Sequence, residues 1–125
     1  MTYDASNHGT LPLRFGGSVV RLRYRRPAPA ELITALARKA PTDDEEADAI
    51  RIITTNLELG AECIEGIDPG GLVIGGEDVA EMDDWRHVVR ERAPLLLIAL
   101  GQHLSAVPGF IEETESKKSW GMPAA

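Results

Sequence analysis

The sequence predicts an α+β fold in which an N-terminal β-hairpin packs on a mainly helical domain of about four helices. Two runs of alternating apolar residues flank Gly16-Gly17, which is typical of a hairpin because glycine tolerates the positive φ of tight turns. Beyond residue 42 the apolar residues recur at helical spacing, and an apolar run follows Pro94. These three observations define the fold class.

The 125 residues correspond to about one domain. We divide them into an N-terminal arm (1–10), a single α+β domain (11–111) and a C-terminal tail (112–125). Phe110 and Ile111 are expected to fold back as a last apolar anchor before the tail.

The predicted hairpin consists of residues 11–15 and 20–25. Pro12 lacks an amide donor, so the first strand suits the edge of a sheet. The second strand alternates apolar residues with arginines, which predicts an inward apolar side and an outward basic side.

The first helix is predicted to begin at Pro29 and to end at about Lys39. Leu32, Ile33 and Leu36 give it one apolar stripe.

The second helix is predicted over residues 43–65, with Thr42 and Glu45 forming a capping box. Apolar residues follow at spacings of three and four over more than four turns, which predicts a single side that packs against the core: Ile50, Ile53, Leu57, Ala61 and Ile64. A stripe this long is expected to contact more than one neighbour, another subunit included.

Residues 72–74 are predicted to form a short strand, as a third strand on the hairpin, or an apolar loop anchor. A helix around Trp85 is expected to end near residue 92, and Pro94 either kinks it or begins another helix. Residues 95–100 are apolar on nearly every side, which predicts the most buried segment of the fold or a subunit interface.

The charge of the chain is negative and unevenly placed. Residues 1–42 hold seven basic and two acidic side chains, whereas residues 43–125 hold six basic and eighteen acidic ones. The net charge of −7 argues against a nucleic-acid-binding protein. No apolar run approaches the ~18 residues of a membrane span, so no membrane partner is expected either.

No motif of an enzyme is present. The three histidines are widely spaced, and the single Cys63 lies between Glu62 and Glu65, whose carboxylates would discourage thiolate chemistry. The glycine-rich segments lack the Lys and Ser or Thr of a phosphate-binding loop. We therefore predict a non-enzymatic protein without a cofactor, a metal site or catalytic residues.

The order of the parts resembles the tail assembly chaperones of long-tailed phages. Residues 25–31 are a β segment ending in arginines and prolines, and an amphipathic helix, a long acidic helix, a glycine-containing turn and a helix around Trp85 follow. The resemblance covers residues 18–118, and Lys117-Lys118 agrees with the frameshift sites that give that family a longer second product. It implies a non-virion chaperone that coats the helical, hydrophobic tape measure protein and recruits tail tube subunits.

We accordingly expect protein partners in the host cytoplasm: the tape measure protein, the tail tube protein and further copies of this chain. The acidic stretch 58–84 and the arginine strand 21–25 are expected to meet opposite charges in another copy or in a partner. The predicted partner-binding residues are Ile50, Ile53, Leu57, Ile64, Trp85, Leu96, Leu100, Arg21, Arg23 and Arg25. Two alternatives stay open: a structural component of a phage tail or baseplate, retained in the virion, and an acidic inhibitor that imitates nucleic acid.

Overall fold

A computed structural model describes residues 7–106. Within that range, three strands form one antiparallel sheet in the order β1-β2-β3, and two further strands form a small separate hairpin. The predicted α+β fold, a hairpin with about four helices, is confirmed. In chain order the elements are β1 (His8–Phe15), β2 (Ser18–Arg25), α1 (Pro29–Arg38), α2 (Glu45–Cys63), β3 (Ile64–Ile67), β4 (Val73–Ile74), β5 (Glu77–Asp78), a 3-10 turn (Val79–Glu81), α3 (Trp85–Arg92) and α4 (Pro94–Leu104).

The N-terminal hairpin forms as the sequence predicts. Gly16 and Gly17 have φ values of 61° and 86°, which a two-residue turn with positive φ at both positions requires. The pairing runs from Phe15 opposite Ser18 to His8 opposite Arg25, so β1 begins within the segment assigned to the N-terminal arm.

Strand β1 lies at the edge of the sheet, as Pro12 predicts. The backbone N–H of Arg26 donates to the carbonyl of Asn7, which continues the ladder and places odd-numbered residues of β1 at hydrogen-bonded positions. Pro12 therefore points its backbone away from β2, where its missing donor breaks no bond of the sheet.

Val73–Ile74 forms a short strand within the predicted residues 72–74, but it pairs with Glu77–Asp78 around a second glycine turn and not with the N-terminal hairpin. The third strand of the sheet is Ile64–Ile67, which pairs with β2. This segment was predicted as the end of α2 because the apolar pattern of the helix continues through Ile64. The helix ends at Cys63, and Ile64 already has the extended values φ −70° and ψ 134°.

Helix α1 has the predicted bounds, and its Ala35 is buried. Within its apolar stripe, Ile33 is 66% exposed, Leu36 is 37% exposed and Leu32 is half-buried. The N–H of Ala28 donates to the Glu31 carboxylate at 2.8 Å, which caps the start of the helix.

The start of α2 differs from the predicted capping box. Asp44 is the N-cap, and its carboxylate accepts from the N–H of Ala47 at 3.1 Å. Thr42 instead donates its N–H and its hydroxyl to the carboxylate of Asp48, at 2.8 and 2.7 Å. Arg51 also donates to Asp48, to the carbonyl of Arg38 at the end of α1 and to the carbonyl of Ala40 in the following loop, so this cluster holds the end of α1 and the loop against α2.

Pro94 begins a new helix rather than kinking α3. Ala93 separates the two helices with φ −141° and ψ 52°, and proline fits the first turn of α4 because that position needs no amide donor. The expectation of a buried segment is met by Leu96, Leu97, Leu100 and Leu104, while Leu95 is 66% exposed.

The centre of the fold is a close crossing of α2 and α4. A Cβ on Gly60 would overlap the carbonyl oxygen of Leu97, and one on Gly101 would overlap the carbonyl oxygen of Asn56. Neither glycine has a positive φ, so their function here is proximity of the two backbones. The inward residues Val20, Leu22 and Tyr24 of β2 complete the same core. The predicted anchor at Phe110 and Ile111 and the tail 112–125 lie outside the described residues.

We expect Gly60→Ala and Gly101→Ala each to lower the free energy of unfolding by about 1–3 kcal/mol or more, because the added methyl forces the helices apart. Urea denaturation measures this difference. Thr54→Ala, on the exposed side of α2, is the matched control and should stay within about 0.5 kcal/mol of the parent. Equal stability of all three variants would contradict the close crossing.

Candidate partner-binding surface

Two isoleucines of α2, Ile50 and Ile53, lie on its outer side. The helix turns Asn56 and Gly60 toward α4, and Thr55 and Leu59 toward α1. Ile50 is 63% exposed and Ile53 is 50% exposed. The prediction that the stripe from Ile50 to Ile64 packs against the core is therefore wrong at its N-terminal half.

The C-terminal part of the same stripe is closer to the core. Leu57 and Ala61 are half-buried against it, and Ile64 is fully inside but belongs to β3. The physical reason is the close approach of α2 and α4 at Gly60 and Gly101. The space between the two helices is too narrow there for isoleucine or leucine, so small and polar residues occupy the contact.

Helix α4 extends the exposed apolar area. Leu95 and Ile98 lie one turn apart on its outer side, Leu95 exposed and Ile98 half-buried. Ile98 and Ile53 line one groove of about 370 Å³ between the two helices. We name this area the α2–α4 apolar surface and define it by Ile50, Ile53, Leu57, Leu95 and Ile98.

A second concavity lies where α2, α3 and α4 meet. This cleft of about 280 Å³ has an apolar floor and a rim that carries Trp85, and we name it the Trp85 cleft. Its lining is Ala61, Ile64, Val89 and Leu97 in the floor and Trp85, Arg86, His87 and Arg90 at the rim. Ala61 follows Leu57 by one helical turn, so the cleft adjoins the α2–α4 apolar surface.

Three predicted partner-binding residues lie inside the core. Leu96 is 2% exposed, Leu100 is completely buried and Ile64 is 3% exposed. In this fold they support the helices from within, and a partner would not reach them. The sequence offered no means of separating them from Leu95, because every side of this segment is apolar.

The arginine strand is paired within the chain. Arg25 donates Nη1 and Nη2 to the two carboxylate oxygens of Glu31, at 2.9 and 3.0 Å, and its Nη2 lies 3.9 Å from Oε2 of Glu62. This fork joins β2 to the start of α1 and the end of α2. The hydrogen bonds from Arg25 and from the N–H of Ala28 lower the pKa of Glu31 to about 2.

The next arginine along the strand is also satisfied internally. Arg23 donates Nε to Oδ1 of Asp68 at 3.0 Å, and it covers Gly66 of β3. Within the described residues, the guanidinium of Arg21 has no ion pair. The prediction that this strand and the acidic stretch meet opposite charges only in another molecule is wrong for Arg23 and Arg25.

A polar cluster that the sequence did not reveal joins α1, α2 and α4. Nζ of Lys39 donates to Oδ1 of Asn56 at 3.0 Å and to the hydroxyl of Ser105. Burial lowers the pKa of Lys39. Lys39 and Ser105 are 66 residues apart in the sequence, so no local pattern predicts their contact. The sequence indicates only that each residue lies at the end of a helix.

Neither an activated thiol nor a metal-binding cluster is found among the described residues. Cys63 is buried, and its pKa is raised to about 11, first by burial and then by Glu31, Glu62 and Glu65 against the opposing effect of Arg25. A thiol with this pKa is a poor nucleophile at neutral pH. No three side chains of the kinds that bind metals come together in the described part of the chain.

Comparison with known proteins returns no relative. The chain matches no family model, no curated protein and no solved structure. Among residues 7–106, no helix is long and apolar enough to cross a bilayer. The function has to be argued from the geometry of the surface.

We expect Ile53→Ala to change the free energy of unfolding by about 0.5 kcal/mol or less, because half of this side chain is already in water. Leu97→Ala, one turn from the glycine crossing, should lower it by about 2–5 kcal/mol. Thermal or urea unfolding of the two variants side by side measures the contrast. A loss of several kcal/mol for Ile53→Ala would place this residue in the core after all.

Because of the Arg25–Glu31 ion pair, we expect the free energy of unfolding to decrease at acidic pH. Since the pKa of Glu31 is lowered from 4.5 to about 2, its contribution is complete above pH 4.5 and is lost as the pH falls toward 2. Glu31→Gln should therefore be less stable than the parent at neutral pH and should show a flatter stability curve between those values. Urea midpoints measured at several pH values test this, with the exposed Glu46→Gln as control. Parallel curves for the parent and Glu31→Gln would contradict the pairing.

Proposed function

We propose that this protein is a non-enzymatic chaperone of phage tail assembly, which binds the tape measure protein along the α2–α4 apolar surface. The observation that carries the proposal is the exposure of that surface: Ile50, Ile53 and Leu95 are each at least half in solvent on adjoining helices. Ile53 also lines the groove between α2 and α4 together with Ile98, and exposed aliphatic residues beside a groove are typical of a binding site.

The shape of the surface suits a helical partner. Two helices that lie side by side leave a long shallow groove, and an amphipathic helix fills such a groove with residues spaced three and four apart. Ile50, Ile53 and Leu57 have that spacing on the receiving side. A tape measure protein is long, helical and hydrophobic, and its apolar side needs cover until the tail tube forms around it.

The charge of the chain supports the same function. A net charge of −7 keeps a complex with an apolar partner dissolved, because the outer surface remains charged while the aliphatic residues are covered. We place this activity in the host cytoplasm, with recruitment of tail tube subunits as its second step. Self-association over the same surface would protect the free protein.

Co-expression with the tape measure protein of the same phage tests the proposal. The parent should keep the tape measure protein in the soluble fraction, and Ile50→Ser/Ile53→Ser should lower the soluble amount at least about tenfold, because burial of each isoleucine contributes about 1 kcal/mol or more. Ile33→Ser is the matched control: it removes an isoleucine that is 66% exposed on α1, away from the α2–α4 apolar surface.

Two results would overturn the proposal. An equal loss for the control and the double variant would show that any exposed isoleucine serves, which a specific surface does not allow. Mass spectrometry of purified virions supplies the other test, since stoichiometric recovery of this chain from finished particles would identify a structural component of the tail.

A further inference from the structure

We propose that the Trp85 cleft selects a carboxylate on the docking helix: it takes an apolar side chain in its floor and an adjacent Asp or Glu at its arginine rim. This inference deepens the proposed function, on which it rests, by stating the chemistry that the partner segment must carry. It is argued from the charges at the rim, from the way they are held, and from the place of the cleft beside the α2–α4 apolar surface.

The two arginines at the rim of the Trp85 cleft have no carboxylate partner among the described residues. Within the described residues, four arginines each form an ion pair with Asp or Glu: Arg23, Arg25, Arg38 and Arg51. Arg86 and Arg90 form none. Acidic residues outnumber basic ones by 20 to 13, so two neighbouring unpaired arginines leave a local positive patch on an acidic protein.

The structure holds one of these arginines in place. The guanidinium carbon of Arg86 lies 4.6 Å from the centre of the Trp85 ring, and its Nη1 donates to the carbonyl of Ile64 at 2.9 Å. These two contacts fix the guanidinium while leaving other N–H groups free to donate to an incoming oxygen. Arg90 follows by one helical turn and lines the same cleft.

The floor of the cleft determines what accompanies the carboxylate. Ala61, Val89 and Leu97 present only apolar atoms, and about 280 Å³ accommodates one aliphatic or aromatic side chain. An apolar residue with an acidic neighbour on the same helical side therefore matches both parts of the site. Because Ala61 is one turn beyond Leu57, a helix covering the α2–α4 apolar surface passes the cleft as well.

The surroundings favour an isolated carboxylate over a nucleic acid. Asp83 and Asp84 precede α3, and Glu91 lies between Arg90 and Arg92. A polyanionic backbone with a charge at every nucleotide would meet these carboxylates, whereas a single Asp or Glu contacts the arginines alone. The Arg86 guanidinium also covers the Trp85 ring, on which a base would otherwise stack.

Three synthetic peptides that differ only in charge test the inference. Each is about 20 residues long, since shorter isolated helices are marginal in water, and each carries the same leucine stripe with Glu, Gln or Lys beside it. Fluorescence anisotropy with the full chain should show that the Glu peptide binds at least about fivefold more tightly than the Gln peptide, and the Lys peptide most weakly. This order is the opposite of what the net charge of −7 alone would give.

Charge reversal at the rim supplies the decisive comparison. Arg90→Glu should abolish the preference for the Glu peptide or invert it toward the Lys peptide, and Arg90 is exposed, so the fold should tolerate the change. Arg14→Glu is the matched control, with the same change of charge at an exposed position on β1 outside the predicted partner-binding residues. Arg86 is left unchanged because its contacts with Trp85 and Ile64 support the fold.

Each remaining result overturns the inference. Equal affinities for the Glu and Gln peptides, equal shifts in Arg90→Glu and Arg14→Glu, or binding of none of the peptides would each overturn the inference. Arginine-dependent binding of a single-stranded oligonucleotide would reassign the cleft to nucleic acid, and a change of oligomeric state in Arg90→Glu alone would reassign it to a second copy.

If Arg90→Glu solubilises the tape measure protein as well as the parent does, a role of the cleft is excluded while the proposed function stands. If the parent fails to solubilise the tape measure protein but prefers the Glu peptide, the proposed function is excluded while the carboxylate preference of the Trp85 cleft stands.

Discussion

The approach of α2 to α4 at Gly60 and Gly101 determines the arrangement of the remaining elements. Because each glycine lies against a carbonyl oxygen of the other helix, no side chain separates the two backbones at the crossing. This closeness brings Asn56 of α2 within reach of Ser105 at the end of α4 and allows Lys39 to bind both. The polar cluster and the apolar core are thus consequences of the same contact, and the cluster ties α1 to the crossing.

The same contact explains which parts of the fold were predictable. Local signals were sufficient for the hairpin at Gly16-Gly17, for the start of α1 at Pro29 and for the start of α4 at Pro94, since each depends on backbone preferences of one or two residues. The side of α2 that faces the core was not predictable from spacing. Spacing finds the side with large aliphatic residues, and a glycine-mediated crossing excludes large residues from the contact.

The candidate site was predictable only in part. Ile50, Ile53, Leu57 and Trp85 lie on the α2–α4 apolar surface or at the rim of the cleft beside it. Leu96 and Leu100 differ from Leu95 only in the direction they take from α4, which a segment that is apolar on every side does not encode. Arg86 and Arg90 were missed because an unpaired charge is a property of the folded surroundings. The sequence shows Arg23 and Arg25 of β2 just as plainly, and those two find carboxylates within the chain.

The distribution of residues on α2 connects its packing with a binding function. If the core covered Ile50 and Ile53, no aliphatic residue on this part of α2 would be left for a partner to cover. Instead, Asn56 and Gly60 make the contact with α4, while Ile50 and Ile53 stay exposed. Internal stability then comes from α4 and the sheet, so a substitution at Ile50 or Ile53 can weaken binding without unfolding the protein. The separation of the two surfaces on one helix is what makes the α2–α4 apolar surface available for a partner.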